Sequence, residues 1–140
     1  MTSVKTVFIA EKPLMAQAIA EALCPSYTKK DGYFLGSNNF IITYAYGHLI
    51  ELSNFEDYSE HLRTWRYEDL PFIPENFKLS PIKEKQTQLE KIRKITKVEN
   101  GEQLLLINAT DSGLEGQLIY HYIASYLGLL KKPSRLHNRT

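Results

Sequence analysis

Twice in its 140 residues this chain runs from a short apolar segment through an acidic turn straight into a helical stripe, and that repeated unit constrains the fold most. The first unit is KTVFIA, residues 5–10, then Glu11-Lys12-Pro13, then Leu14, Ala18, Ile19, Ala22 and Leu23 at helical spacing, ended by Pro25. The second is LLLIN, residues 104–108, then the turn ATDSG, then Leu118, Ile119, Tyr122, Ile123, Tyr126 and Leu127, closed near Gly128. Short apolar runs bounded by turn residues read as buried strands, and the stripes after them as helices packed on one face. Strands alternating with helices predict an α/β fold with a largely parallel sheet and right-handed crossovers.

Between the units, Tyr33–Leu35 and Asn39–Tyr46 are aromatic and β-branched runs separated by Gly36, Ser37 and Asn38, which predicts a hairpin. Residues 47–82 carry Pro71, Pro74 and Pro81, many acids and aromatics and no sustained period, so an irregular excursion with at most short helical turns is expected there. Residues 83–98 place Leu89, Ile92, Ile95 and Val98 three apart on one face of a basic helix, and Gly101 follows as a stop. The length suits one domain, residues 1–140, with a real core.

Cys24 stands alone, so no internal disulfide is possible, and no apolar run approaches the 18 or so residues of a membrane span. Without a charged-then-apolar N-terminus either, a cytoplasmic protein with no membrane partner is expected. The net charge of +1 hides an uneven distribution. Residues 51–69 hold six acids against Arg63 and Arg66. From Lys78 to Lys97 seven basic residues, Lys91 and Lys94 among them, face only Glu84 and Glu90, and Lys131, Lys132, Arg135 and Arg139 follow in the tail. Such asymmetry suits a polyanion partner; a solvated helix face plus an ordinary charged terminus is the plainer reading.

Open α/β sheets gather ligands outside the carboxyl ends of their strands. Both acidic turns fall there: residues 10–13 with Glu11 and Lys12, and residues 109–116 with Asp111 and Glu115. If the two strands are neighbours, three carboxylates and one ammonium converge, and such carboxylates raise one another's pKa unless a cation neutralises them. Oxygen-only ligands without His or Cys favour Mg²⁺, which takes one or two protein carboxylates and keeps its waters. The competing reading is structural. Ser112 and Glu115 fit an S/T-x-x-E capping box, and Glu11 fits an acid favoured by a helix dipole. Acids at both turns favour the metal.

FIAEKPLMAQAIAEAL, then YAYGHLIEL, then Trp65 with DLPFIP, then ATDSGLEGQLIYHYI resemble, in order, the N-terminal Toprim domain of type IA DNA topoisomerases, most closely topoisomerase III. The resemblance implies a Toprim-like, Rossmann-type α/β fold and single-strand DNA cleavage and religation. By the same resemblance Glu11 is the general acid or base at the scissile phosphodiester, and Lys12 contacts the scissile phosphate and stabilises its charge. Glu11, Asp111 and Glu115 would hold Mg²⁺, and His48 of Gly47-His48-Leu49 would lie near DNA, with a structural histidine as its alternative. Trp65 and DLPFIP are expected to pack rather than react.

Two residues depart from the family turn D-P-D-R-E-G. Gly113 removes the middle acid, as in members that read D-x-G-R-E-G, and Leu114 stands where an arginine would supply positive charge beside the phosphate. The family's nucleophile is a tyrosine in a later domain. None of the nine tyrosines here matches it, so downstream topoisomerase domains are the implied partners and the chain alone should not relax supercoils. A stand-alone metal-dependent nuclease and a non-catalytic nucleic-acid-binding module are the alternatives. A reading frame that continues into a nucleophilic tyrosine separates the first reading from these two.

Overall fold

The computed structural model describes residues 3–37, 39–60, 66–69, 78–99 and 101–130. Trp65, residues 70–74 and the basic tail with Arg135 lie outside the described residues. In chain order the elements are β1 (Ser3–Ala10), α1 (Pro13–Leu23), β2 (Thr28–Lys30), β3 (Tyr33–Leu35), β4 (Phe40–Tyr44), β5 (Ile50–Leu52), β6 (Leu79–Pro81), α2 (Gln86–Thr96), β7 (Glu102–Ala109) and α3 (Leu114–Tyr126).

Five strands form one sheet in the order β2-β3-β4-β1-β7. Its centre is parallel, with β1 between β4 and β7, and the predicted hairpin adds β3 and then β2 as antiparallel strands. Alternation along β1 divides the core. Val7 and Ile9 face a layer built from α2 and α3, through Leu89, Ile92, Ile95, Ile119 and Ile123. Ala10, Ile42, Phe34 and Tyr44 face α1 through Ala16, Ala20 and Cys24. Helices therefore cover both faces of a mostly parallel sheet, the expected α/β arrangement.

The details differ from expectation in three places. In α1 the buried positions are Ala16 and Ala20, whereas Leu14 is 80% exposed and Leu23 47% exposed. Alanines let the helix backbone approach the sheet closely, so the inward face is the small one and the predicted leucine stripe is out of phase with it. In the basic helix Leu89, Ile92 and Ile95 are buried as predicted, but Val98 lies beyond its end and is exposed. The excursion over 47–82 is not wholly irregular: β5 and β6 pair antiparallel at its base, Ile50 opposite Pro81 and Leu52 opposite Leu79. Proline is tolerated in such a ribbon because an edge strand does not need its N–H. The ribbon lies against α3.

Candidate active site

Register sets the site. Ala10 of β1 pairs with Ala109 of β7, so the residues that follow leave the sheet side by side. The chain then diverges, because α1 packs on one face and α3 on the other. Neighbouring strands whose helices go to opposite faces leave a crevice at their carboxyl ends. Glu11 and Asp111 meet there.

Glu11 is 7% exposed, its buried Oε2 has no hydrogen-bond partner among the described residues, and its carboxyl lies within interaction range of Asp111. Burial raises its pKa above the ordinary 4.5, the interaction with Asp111 and the charges of Asp111 and Glu115 push the same way, and Lys12 opposes them. Such a group holds its proton to higher pH than an exposed glutamate, as a general acid must. Lys12 is exposed at the N-cap of α1, with Pro13 starting the helix; no side chain caps that end, so Glu11 does not serve as its cap.

The second turn is built differently from a capping box. Gly113 is the N-cap of α3, and no side chain caps the helix, so Ser112 and Glu115 do not satisfy the reciprocal pattern. Asn108 does the local work instead. Its Oδ1 accepts from the Thr110 N–H at 3.0 Å and from the Thr110 hydroxyl at 2.5 Å, and its Nδ2 donates to Gln117 Oε1 at 3.1 Å. These bonds tie the strand end to the first turn of α3. Gly116 completes the support: a Cβ there would lie 2.5 Å from the Asp111 carbonyl oxygen, so only glycine lets α3 start against the Asp111 backbone.

His48 reaches the same edge. Ala45 N–H donates to Ala10 O at 2.9 Å, which carries the chain past Glu11 before it enters β5 over α3. The result is His48 Nε2 3.8 Å from Glu115 Oε1, with Glu115 largely exposed. Beside them Tyr44 and Tyr46 meet edge to face at 5.4 Å. Burial, with a hydrogen bond to Tyr46, pushes the Tyr44 hydroxyl up to about 12. Burial also raises Tyr120. Both shifts oppose formation of a nucleophilic phenolate.

Lys91 and Lys94 lie elsewhere. They project from α2 beside the hairpin, Lys91 Nζ 2.9 Å from Asp31 Oδ1. Gln88, which the sequence did not single out, fixes that helix: its buried amide donates to Gly32 O at 3.1 Å and Tyr44 O at 2.7 Å. Arg135 is outside the described residues.

Among the described residues no group of three or more His, Cys, Asp and Glu side chains is arranged to hold a metal ion. Two carboxylates in contact, one with an orphaned buried oxygen, nonetheless fit a hard, water-rich divalent cation, which needs only one or two protein carboxylates. The residues fit such an ion as an open site, not a closed cage.

An α/β sheet with an acidic crevice at its parallel centre is the class of structure seen here. The chain belongs to the Toprim family, whose model matches residues 6–138. Toprim domains are metal-binding. The chain is similar to the proteins named DNA topoisomerase 3 of Haemophilus influenzae, 37% identical over 88% of this chain, and of Vibrio cholerae, 39% over 86%. It is 36% identical to the one of Bacillus subtilis over 94% of this chain. In each case the chain spans 18% of the length of the curated relative it matches.

Proposed function

We propose that residues 1–140 are a single Toprim domain of a topoisomerase III-like type IA DNA topoisomerase, an isomerase acting in the cytoplasm on single-stranded DNA, completed by downstream domains that carry the tyrosine nucleophile. The observation that carries the reading is the buried, proton-retaining Glu11 held against Asp111 at the parallel centre of the sheet, with Lys12 next to it. In this reading the Glu11 carboxyl gives its proton to the oxygen that leaves phosphorus during cleavage and takes it back during religation. Lys12 offsets the negative charge that develops on the phosphate. Asp111 keeps Glu11 protonated until the leaving oxygen needs the proton, and Glu115 and His48 line the approach of the strand. Asp111 and Glu115 would hold Mg²⁺, with Glu11 joining them only as its ionised carboxylate; the ion when bound would supply positive charge to the phosphate and help neutralise the crevice.

The test uses the protein that this reading frame encodes in full. Cleavage and religation of a labelled single strand with Mg²⁺ should be lost in Glu11→Gln and reduced at least tenfold in Lys12→Ala. Undiminished cleavage in Glu11→Gln would sink the proposal. Cleavage without a covalent protein–DNA intermediate would instead point to a metal-dependent nuclease.

A further inference from the structure

On the face away from α1, the side of α2 and the β3–β4 hairpin enclose a groove of about 330 Å³. Lys5, Lys91 and Lys94 stand around it and Tyr33, Leu35 and Ile41 form its floor; among the described residues no acid lines it, although Asp31 meets the Lys91 ammonium from outside. Leu35 is 38% exposed, a large apolar side chain left open among three ammonium groups. At one end the groove meets, through Lys91, a second hollow of about 280 Å³ next to the carboxyl edge, lined by Tyr46 and Lys85 but also by the acids Asp31 and Glu84. Lys5 lies five residues before Ala10 on β1, about 17 Å from the crevice at strand rise, so the middle of the groove is distinct from the Glu11 site.

We propose that this groove is a second contact for single-stranded nucleic acid, a track that takes the strand along α2 toward the acidic crevice. It rests on the nucleic-acid reading given above. Three lysines, of which Lys91 also meets Asp31, fit a run of phosphates, whose binding releases counterions. The aromatic and apolar floor selects the class of polyanion. Unstacked bases present apolar faces that Tyr33 and Leu35 can cover, as other single-strand grooves combine cations with stacking surfaces. A duplex hides those faces, and an acidic peptide has none. The groove's length also suits a strand: α2 rises about 14 Å from Lys85 to Lys94, enough for a few nucleotides. The pair of Lys91 with exposed Asp31 is a weak surface pair that a phosphate can replace.

The experiment measures binding of a fluorescent oligo-dT to the chain in EDTA, so that no metal is needed, together with crosslinking by 4-thiothymidine mapped residue by residue. Crosslinks at Tyr33 or Leu35 are expected. Affinity should fall with salt at a log–log slope near −2, about 0.7 for each of three lysines, and the double variant Lys91→Gln/Lys94→Gln should reduce that slope by about 1.4. Leu35→Ser should weaken oligo-dT at least threefold while leaving the slope unchanged, with folding followed by circular dichroism. Crosslinks confined to Glu11, His48 and Asp111, with an unchanged slope in the lysine variant, overturn the groove and leave the proposed function standing. Oligoglutamate of equal length binding as tightly as oligo-dT overturns the single-strand assignment. Absence of any oligo-dT binding at low salt overturns the groove; cleavage by the full protein then decides the proposed function separately.

Discussion

Glu11 and Asp111 interact because the strands before them are paired at Ala10 and Ala109, one residue before Glu11 and two before Asp111. Each acid leaves its strand toward a helix on a different face, and the crevice between them removes Glu11 from water. Its carboxyl is therefore harder to ionise in the fold than in the unfolded chain. A raised carboxyl pKa means the folded state holds more protons, so stability is full below the ordinary value near 4.5 and declines as pH rises through the raised value. Glu11→Gln should abolish that decline, because the amide does not ionise. Urea midpoints measured from pH 4 to 8 should fall with pH in the parent and be nearly flat in the variant above pH 4.5. A parent whose stability rises across that window would contradict the burial argument.

The Asp111 backbone depends on Gly116. A methyl at that position would stand 2.5 Å from the Asp111 carbonyl oxygen, so Gly116→Ala must either shift α3 or move the turn. Overpacking of this kind costs about 1–3 kcal/mol. The expected signature is a lower urea midpoint together with weaker Mg²⁺ binding. Gly113→Ala, where no atom lies within 4 Å of an added Cβ, is the control and should leave stability within about 0.5 kcal/mol.

Gln88 is a similar case on α2, which covers the same face of the sheet as α3. Its one amide nitrogen serves the carbonyls of Gly32 and Tyr44, both at buried positions, and so joins α2 to the turn before β3 and to the end of β4. Gln88→Leu leaves both oxygens without that donor and should cost about 1–3 kcal/mol. Thermal denaturation measures it. A loss below a few tenths of a kcal/mol would mean the helix is held by Leu89, Ile92 and Ile95 alone.

The two acidic turns were legible in the sequence because each follows an apolar run that could only be a buried strand. What could not be read is what pairs with what. β2 is Thr28-Lys29-Lys30, all exposed, and an edge strand made of polar residues carries no hydrophobic signal. β5 and β6 are three residues each, one ending in Pro81, and exist because they pair with each other over α3. The phase of α1 was misread for a related reason. Leu14 dominates any apolar stripe, yet it stands at the first turn of α1 and is largely exposed among the described residues, and the close contact belongs to Ala16 and Ala20. The supports of the site, Asn108, Gln88 and Gly116, are an amide, an amide and a glycine. Apart from the local bonds of Asn108 to Thr110, their partners are backbone atoms or Gln117, which no apolar spacing reveals.

His48 and Glu115 are 3.8 Å apart, and both are at least a third exposed. Solvent screens such a pair to less than about 1 kcal/mol. His48→Ala should therefore leave the urea midpoint almost unchanged while weakening oligonucleotide binding near the crevice. A large loss of stability would make His48 a structural residue and remove it from the strand's path.

Leu114 and Gly113 set the last expectation. Gly113 contributes no carboxylate, so the crevice offers Glu11 and Asp111, with Glu115 turned toward His48. Few charged ligands leave little to compete with the hydration of Mg²⁺, and binding at about millimolar concentration is expected. Gly113→Asp adds a carboxylate at the N-cap of α3, where space is open and the helix dipole favours an anion. It should tighten Mg²⁺ severalfold. Leu114→Arg puts a guanidinium at a position that is 86% exposed, so it should strengthen oligonucleotide binding and do nothing for the metal, which it repels. Calorimetric titration of the parent and both variants, each with Mg²⁺ and with a short oligo-dT, separates the two effects. If Gly113→Asp leaves Mg²⁺ affinity unchanged and the parent binds none, the crevice is not a metal site, and the proton on the Glu11 and Asp111 pair, with the Lys12 ammonium, is what neutralises it.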